Sequence, residues 1–367
     1  MKIRCNREHL ADRLTQAARA ASTRVNLQSV SHVRLTATSS EAPVELAATD
    51  LEMTLRVPLD ADVETPGVML VPAKITPELI RALPGNLIEL TSDESGRVHV
   101  TAGTSSYTLY SLSSDEFPQL PEIDLEKLFE TDRMAFTEVV NRVQRAASRD
   151  ESRPVLTGAL VRFEQDRIVM AATDSYRLAV AEAALSSAPP EVLEVIIPIR
   201  ALQEVVRLVG TAEGTLSVSI SEGLVSFGVD GIWLSARRIE GQFPNFQALR
   251  PDTIEHSVTI AKDELLEVVR RVGIVVRQNT PVRAELSPGL LSLSARTADV
   301  AEGDESIPVA YAGTETIEIG FNYEFLRDGI ESVPGNEVKL GLISSLRPAL
   351  LESLDGTFWY VIMPIRI

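Results

Sequence analysis

The chain has 367 residues, of which 44% are apolar and 24% charged, and its formal net charge is −17. A chain of this length can bury a core large enough for two or three domains of about 100–200 residues each. One cysteine, Cys5, excludes an intramolecular disulfide, and no apolar stretch approaches the roughly 20 residues that a membrane-spanning helix needs. The N-terminus lacks the apolar run of a signal peptide, so the sequence predicts a soluble protein of the cytoplasm.

Six segments carry apolar residues at helical spacing, and they come in three pairs along the chain. The first helix of each pair is predicted at 7–21, 133–147 and 261–276, and the second at 74–83, 200–209 and 323–333. Pro77 fits the first turn of its helix, while Pro84-Gly85 and Gly210 are stop signals. Alternating apolar and polar residues predict strands around these helices, as at 33–37, 159–163 and 290–294.

The same order of motifs recurs along the chain. Ala-Ala-Thr-Asp at 47–50 returns at 171–174, an offset of 124 residues, and Phe-Pro at 117–118 returns at 243–244, an offset of 126. Val-Pro at 71–72 matches Ile-Pro at 197–198, each just before a predicted helix. A third copy is fainter, with 292–297 and 317–322 in the corresponding places.

These repeats predict an α+β fold of three tandem units, each with two helices and about eight short antiparallel strands. Prolines that end regular elements, Pro121 and Pro251, lie beside the two expected boundaries. We therefore expect domains at 1–124, 125–251 and 252–367.

Positive charge collects on the predicted helices and the turns that follow them. Together these segments carry a net +6, which leaves −23 on the rest of a chain whose total is −17. These arginines could contact phosphate, but an amphipathic helix also needs charged residues on its solvent-exposed face. The charge pattern alone favours neither interpretation. A few basic residues on an otherwise acidic protein are typical of weak binding to nucleic-acid phosphates, because proteins that bind nucleic acid tightly neutralise many phosphates at once.

No catalytic or metal-binding constellation can be assembled from the sequence. The histidines lack metal-ligand spacing, and the common phosphate-binding, hydrolase and zinc-protease motifs are absent. We therefore predict no catalytic residue, no metal and no cofactor. A hydrolase with dispersed catalytic acids and a repeat scaffold that binds only proteins remain as alternatives.

The repeats, the Thr-Asp-X-X-Arg-Leu motif at 173–178 and the C-terminal Val-Ile-Met-Pro-Ile-Arg-Ile at 361–367 resemble the beta subunit of bacterial DNA polymerase III, essentially end to end. Arg-Gln-Asn-Thr-Pro-Val-Arg at 277–283 and Arg-Pro-Ala-Leu-Leu at 347–351 are similar to versions from the high-GC Gram-positive lineage. The resemblance implies a non-catalytic sliding clamp. Two copies would close head to tail into a six-domain ring around double-stranded DNA, independently of its sequence, with the helices lining the hole.

The resemblance also implies partners and a location. The expected partners are the DNA polymerase III alpha subunit, the clamp loader and other replication and repair proteins that carry clamp-binding motifs. No contact with a membrane is expected. The protein would act in the cytoplasm, associated with the nucleoid.

By the same resemblance, short linear peptides of these partners bind in a pocket between the second and third repeats. On the matching positions of this chain the pocket would be lined by Leu156, Thr173, Ser175, Tyr176, Arg177, Leu178, Pro244, Leu249, Ile343, Ser345, Ile362, Met363, Pro364, Ile365 and Arg366. Many relatives have Gly-His in place of Ser175-Tyr176 and a basic residue in place of Ala248, a departure that bears on peptide preference. Without the family, 361–367 reads as an ordinary terminal strand, and Thr173-Asp174 as a turn in which the aspartate caps backbone donors.

The family's DNA contacts and dimer seam can be carried over in the same way. The basic positions that match are Arg24, Lys74, Arg149, Arg153, Arg200 and Arg277, and Asp150 stands where a neutral amide is common. The dimer seam would pair the end of the first repeat, around Tyr107 and Leu109, with the first helix of the third, around Val275 and Val276. Apolar side chains of this kind are also common core residues.

Overall fold

A computed structural model of the chain describes residues 1–22, 27–93, 96–185, 189, 191–210, 212–277 and 280–367. Within these ranges the chain forms six α-helices and 25 strands, and the three predicted pairs of helices are all present. None of the helices in the described ranges has the length and hydrophobicity needed to span a bilayer.

The first repeat contains two helices and nine strands in the described ranges. The helices are α1 (Arg7–Ala17) and α2 (Ile75–Ala82). The strands are β1 (Lys2–Asn6), β2 (His32–Ala37), β3 (Val44–Thr49), β4 (Met53–Leu59), β5 (Asp62–Thr65), β6 (Gly67–Pro72), β7 (Leu87–Ser92), β8 (Val98–Ala102) and β9 (Ser105–Leu109).

The second and third repeats have the same element order with one strand fewer. The helices are α3 (Arg133–Val143), α4 (Ile199–Val209), α5 (Lys262–Gly273) and α6 (Tyr323–Ser332). The strands of the second repeat are β10 (Leu128–Thr131), β11 (Gly158–Phe163), β12 (Arg167–Thr173), β13 (Arg177–Ala184), β14 (Leu193–Pro198), β15 (Leu216–Ile220), β16 (Leu224–Val229) and β17 (Ile232–Arg237). Those of the third are β18 (His256–Ala261), β19 (Val282–Ser287), β20 (Leu290–Thr297), β21 (Ala301–Pro308), β22 (Ile317–Phe321), β23 (Glu337–Leu342), β24 (Ala349–Glu352) and β25 (Phe358–Ile362).

The predicted fold class is confirmed, and the third repeat, the faintest in sequence, has the element order of the other two. In each repeat one strand precedes the first helix, four or five strands separate the helices, and three strands follow the second helix. The first helices end earlier than predicted, at Ala17, Val143 and Gly273. The first two continue as short 3₁₀ turns, because the last carbonyls of a helix are readily satisfied by tighter hydrogen bonds.

Local sequence explains where the helices begin and which face they bury. The side chains of Asn6, Asp132 and Asn322 each accept backbone N–H bonds at a helix start, which satisfies donors that the helix leaves open. In α3 the buried residues Phe136, Val139, Val140 and Val143 recur at helical spacing. The helix therefore packs one apolar face against its sheet, mainly against β12 and β13.

The described chain folds into two compact units. The first comprises Met1–Glu130 and Arg207–Arg237, and the second comprises Thr131–Val206 and Arg238–Ile367. Apart from the last residue of β10, the first unit holds a five-stranded sheet, β5-β1-β7-β8-β9, and an eight-stranded sheet, β10-β15-β16-β17-β4-β3-β2-β6. The second holds an eight-stranded sheet, β14-β11-β12-β13-β25-β24-β23-β18, and a four-stranded sheet, β21-β20-β19-β22.

The strands of the second repeat are divided between these two units. Strand β17 pairs with β4 of the first repeat, with Trp233 opposite Arg56, whereas β13 pairs with β25 of the third, with Leu178 opposite Val361. Three sequence repeats therefore produce two compact units, because neighbouring repeats are joined by continuous antiparallel sheet.

Candidate peptide pocket and nucleic-acid surface

The Thr-Asp-X-X-Arg motif folds into a tight turn between β12 and β13. The hydroxyl of Thr173 accepts the N–H of Ser175 at 3.1 Å and donates to the carbonyl of Arg177 at 2.6 Å. Oδ1 of Asp174 accepts the N–H groups of Tyr176 and Arg177. The side chains thus replace backbone partners in a turn too short to provide them, as the capping interpretation predicted.

The first repeat contains the same turn between β3 and β4. Thr49 accepts the N–H of Leu51 and donates to the carbonyl of Met53, and Asp50 accepts the N–H of Met53 at 2.7 Å. The third residue of both turns has a left-handed backbone, with φ of 77° at Leu51 and 81° at Ser175. The repeat is therefore reproduced down to single hydrogen bonds, including a conformation that most side chains avoid.

The turn at 173–177 lies beside the end of the last strand. In the β13–β25 pairing Arg177 is opposite Ile362, and beyond the strand the N–H of Met363 donates to the carbonyl of Tyr176 at 2.9 Å. Two distant predicted pocket segments, 173–178 and 361–363, are therefore adjacent.

Two further predicted residues, Ile343 and Ser345, lie near this end of the sheet, and a third, Ile365, bonds to a neighbouring sheet. Because Ile362 is also opposite Ala349 of β24, the β23–β24 connection that carries Ile343 and Ser345 lies at the same end. The C-terminal tail then leaves this sheet, since the N–H of Ile365 donates to the carbonyl of Gly320 on β22 at 2.8 Å. The terminal strand proper ends at Ile362, and only one bridge extends the pairing to Ile365.

A buried apolar cluster includes the predicted pocket residue Leu178. Leu178 packs with Phe243, Phe246, Trp359 and Val361, and the rings of Phe246 and Trp359 lie 6.5 Å apart. Predicted Pro244 and Leu249 lie in the same segment as Phe243 and Phe246, so this segment covers the sheet beside the turn. The sequence motif did not single out Phe246 or Trp359, because they are far apart in the chain and meet only in the folded protein.

Apolar side chains remain exposed around this cluster. Tyr176 is 62% exposed, Leu249 50% and Met363 43%. Exposed apolar side chains of this kind suit the apolar anchors of a short peptide, and the flexible thioether of Met363 can adapt to more than one side chain.

The predicted pocket residues are not gathered into one cavity. Tyr176 and Arg177 line a cleft of about 1350 Å³ that also includes Arg149, Arg153 and Phe325. Pro244 lines a separate cavity of about 560 Å³ beside β11 and β14. A peptide that contacts Tyr176, Met363 and Leu249 would therefore lie across an open surface rather than fill one enclosed hole.

Arg177 is held in place by charge rather than exposed to a ligand. Its side chain is only 10% exposed, with Nε bonded to Asp174 at 3.0 Å and Nη1 to Asp328 at 2.7 Å. Its guanidinium lies 4.3 Å from the ring centroid of Phe325. Burial alone would lower its pKa, but Tyr360, Asp328 and Asp174 raise the pKa above the usual arginine range.

Helix α6, which carries Asp328, pairs its acids with arginines of the same unit. Asp328 and Glu331 both bond Arg145, and Arg270 bonds Glu331 at 2.9 Å. Helix α6 has three acidic residues and one arginine, and these pairs place two of the acids beside arginines of other segments. Sequence analysis missed Phe325 and Asp328, which contact the predicted pocket residue Arg177, because they are far from it in the chain.

The predicted DNA-contacting residues lie at helix ends and in the loops after them. Arg24 lies outside the described residues. Lys74 directly precedes α2, Arg200 is in the first turn of α4, Arg149 and Arg153 are in the loop after α3, and Arg277 follows α5. All five described side chains are exposed. Within the described ranges Arg149 has no ion-pair partner, and no group of three or more potential metal ligands occurs there.

The predicted seam residues lie at two sheet edges. Tyr107 is half exposed on β9, an outer strand of the five-stranded sheet, while Leu109 at its end is buried. Val275 and Val276 are half-buried and follow α5 rather than lying within it. A Cβ atom placed on Gly303 would lie 3.3 Å from Val275, so this segment packs beside β21, an outer strand of the four-stranded sheet.

Three family models of the DNA polymerase III beta subunit match the chain: the N-terminal domain over 1–121, the central domain over 130–245 and the C-terminal domain over 247–366. The chain is 32% identical to the beta sliding clamp of Streptomyces coelicolor, with all of both chains covered. Among solved structures, the DNA polymerase sliding clamp of Bacillus subtilis matches with a TM-score of 0.94 at 22% identity, covering 100% of this chain and 99% of that one. The DnaN sliding clamp of Pseudomonas aeruginosa bound to griselimycin matches with a TM-score of 0.91 at 27% identity over all of both chains.

Proposed function

The chain belongs to the family of DNA polymerase III beta subunits, the bacterial beta sliding clamps, and we propose that two copies close head to tail into a ring around duplex DNA. As a processivity factor the protein catalyses no reaction. The ring tethers the replicative polymerase to its template, because an encircling ring cannot leave DNA without opening. We take 1–124, 125–251 and 252–367 as its three clamp domains.

The observation that carries this proposal is a pair of different sheet edges on one chain. Strand β9 is an outer strand of the five-stranded sheet in the first unit, and β21 is an outer strand of the four-stranded sheet in the second. An exposed strand edge is a template for pairing with another chain, and two unlike edges favour a head-to-tail contact over a self-complementary one. When β9 of each copy pairs with β21 of the other, two equivalent seams form and the dimer closes. Tyr107 and Val275 lie at each seam.

The DNA-contacting set in this proposal is sparse. It comprises Lys74, Arg149, Arg200 and Arg277, together with Arg24 outside the described residues. A few separated cations on a chain of net charge −17 give weak contacts that depend on salt and not on base sequence. Such contacts let a ring slide along DNA, while its closed topology prevents it from leaving the DNA.

Partner peptides bind, in this proposal, across Tyr176, Leu249 and Met363. The exposed apolar side chains receive the leucine and phenylalanine anchors that clamp-binding motifs supply, and the cluster around Trp359 keeps the surface rigid. The DNA polymerase III alpha subunit, the clamp loader and repair proteins would compete for this surface in the cytoplasm, at the nucleoid.

Solution mass tests the proposed seam. We expect sedimentation equilibrium at micromolar concentration to give twice the mass of one chain. Tyr107→Lys should shift the equilibrium toward single chains by about tenfold or more in dissociation constant, because it places a charge in the closed edge.

Thr101→Lys supplies the matched control, since Thr101 is exposed on the neighbouring strand β8 and not on the edge. It should leave the dimer intact. A single-chain mass for the unaltered protein, or equal effects of the two lysine variants, would contradict the proposed ring closure.

A further inference from the structure

The loop between α3 and β11 is bonded to the turn that carries the proposed peptide pocket. Arg153 Nη1 donates to the hydroxyl oxygen of Ser175 at 2.9 Å, and Arg153 Nε donates to Oδ2 of Asp150 at 3.1 Å. The guanidinium thus bonds its own loop through Nε and the turn through Nη1. The family resemblance suggested a DNA contact for Arg153, but its bonds here are directed at the pocket.

The loop is organised well enough to act as a fixed base. The N–H of Ser148 donates to the carbonyl of Leu156 at 2.8 Å and closes the loop, and the N–H of Leu156 donates to the carbonyl of Arg153 at 3.0 Å. Asp150 accepts both the hydroxyl and the N–H of Ser152, which hold the pKa of its carboxyl below the usual value. Arg153 therefore starts from a preformed loop that also carries Leu156, a predicted pocket residue.

The turn has few other constraints on its outer side. Ser175 and Tyr176 are both exposed, so no apolar burial fixes them. Ser175 has φ of 81°, a left-handed conformation that costs a residue other than glycine of order 1 kcal/mol. On the inner side Arg177 ties the turn to Asp328. On the outer side, the hydrogen bond from Arg153 to Ser175 has the corresponding role.

We infer that Arg153 is a positioning residue of the peptide pocket. By bonding Ser175 it fixes the turn, and with it the exposed side chain of Tyr176, in the arrangement that a partner peptide meets. When this bond is lost, the turn keeps the hydrogen bonds of Thr173 and Asp174 but is no longer bonded to the loop through Arg153, so its outer side must be fixed at the moment of binding and peptide affinity falls. The inference rests on the proposed function, since it assumes that partner peptides bind beside Tyr176 and Met363.

A double-mutant cycle on peptide affinity tests this inference. The probe is a fluorescently labelled peptide that copies the tail of a DNA polymerase III alpha subunit, and anisotropy is measured without DNA. Arg153→Ala and Ser175→Ala should each weaken binding about threefold to tenfold, the range expected for the loss of one ordinary hydrogen bond at an exposed site. The double variant should bind no more weakly than either single one, because both changes remove the same bond.

Two further variants separate positioning from charge and from general loss of structure. Arg153→Lys keeps the positive charge but lacks the planar fork that reaches Asp150 and Ser175 together, so it should bind as weakly as Arg153→Ala. Arg167→Ala removes an exposed arginine at the opposite end of β12, paired with Glu164, and should bind like the unaltered chain. Thermal unfolding midpoints should stay within a few degrees across the set.

The outcomes distinguish this inference from the proposal on which it rests. Additive losses in the double variant, or full affinity in Arg153→Lys, would overturn the inference and assign Arg153 a direct charge contact. Equal affinity of all variants would overturn the inference and leave the pocket standing. If the unaltered chain does not bind the peptide, the pocket itself is wrong and the inference fails with it.

Discussion

At the scale of single residues, the two Thr-Asp turns show how a short motif fixes a backbone. Thr173 and Asp174 supply the acceptors that the turn needs, as Thr49 and Asp50 do in the first repeat. Sequence reasoning found this role because the hydrogen bonds are local. It could not find the bonds from Arg153 to Ser175 or from Arg177 to Asp328, because nothing in the local pattern brings residues 22 or 151 positions apart together.

Leu51 offers a test of the left-handed position without the complication of a polar partner. We expect Leu51→Gly to raise the free energy of unfolding by about 0.5–1 kcal/mol, because glycine adopts φ near 77° at no steric cost. Urea unfolding measures the change.

The matched control is Leu346→Gly, at an exposed loop leucine that lacks a left-handed backbone. It should lower stability, because glycine there only increases the freedom of the unfolded chain. An equal fall in the two variants would show that φ at Leu51 stores no strain.

At the scale of elements, periodicity predicted all six helices, and the structure moves only their ends, most of all the C-terminal ends of α1, α3 and α5. Strand partners were beyond the sequence. The pairing of β17 with β4 and of β13 with β25 joins repeats through residues far apart in the chain, and alternation identifies a strand without identifying its neighbour. The same limit hid the role of α6, whose residues Asp328 and Glu331 pair with arginines of three other segments, Arg145, Arg177 and Arg270.

The ion pairs of α6 predict a dependence of stability on pH. Burial raises the pKa of Glu331, but hydrogen bonds from Arg145 and Arg270 outweigh it and hold the pKa below the ordinary value of 4.5. A carboxyl with a lowered folded pKa stabilises the fold above its unfolded pKa, and this contribution is lost as pH falls through the folded value. Stability should therefore decline between about pH 5 and more acid conditions.

Glu331→Gln should reduce the decrease in the free energy of unfolding at acid pH. Glu324→Gln, at an exposed glutamate of the same helix, should leave this decrease unchanged. Urea unfolding from about pH 7 to about pH 3 measures both. An equal pH dependence in the two variants and the unaltered chain would remove Glu331 from the explanation.

At the scale of the whole molecule, the acidic total and the basic helix ends fit one account. A net charge of −17 would weaken any protein that held DNA by attraction alone. A ring needs only enough cations to guide the duplex through its hole, since closure rather than affinity prevents loss. In the proposed ring, the outer edges of β9 and β21 would form the seam and the exposed side chains around Tyr176 would bind partners, while DNA passes through the hole.

Retention on DNA of different topology tests the ring most directly. The protein is loaded onto nicked circular DNA with clamp loader and ATP, separated from free protein by gel filtration, and followed after the circle is cut at one site. We predict that it stays with the intact circle and is released within minutes of linearisation, because a ring slides off a free end. Equal retention on circular and linear DNA would contradict the account, since it would show that contact rather than closure holds the protein in place.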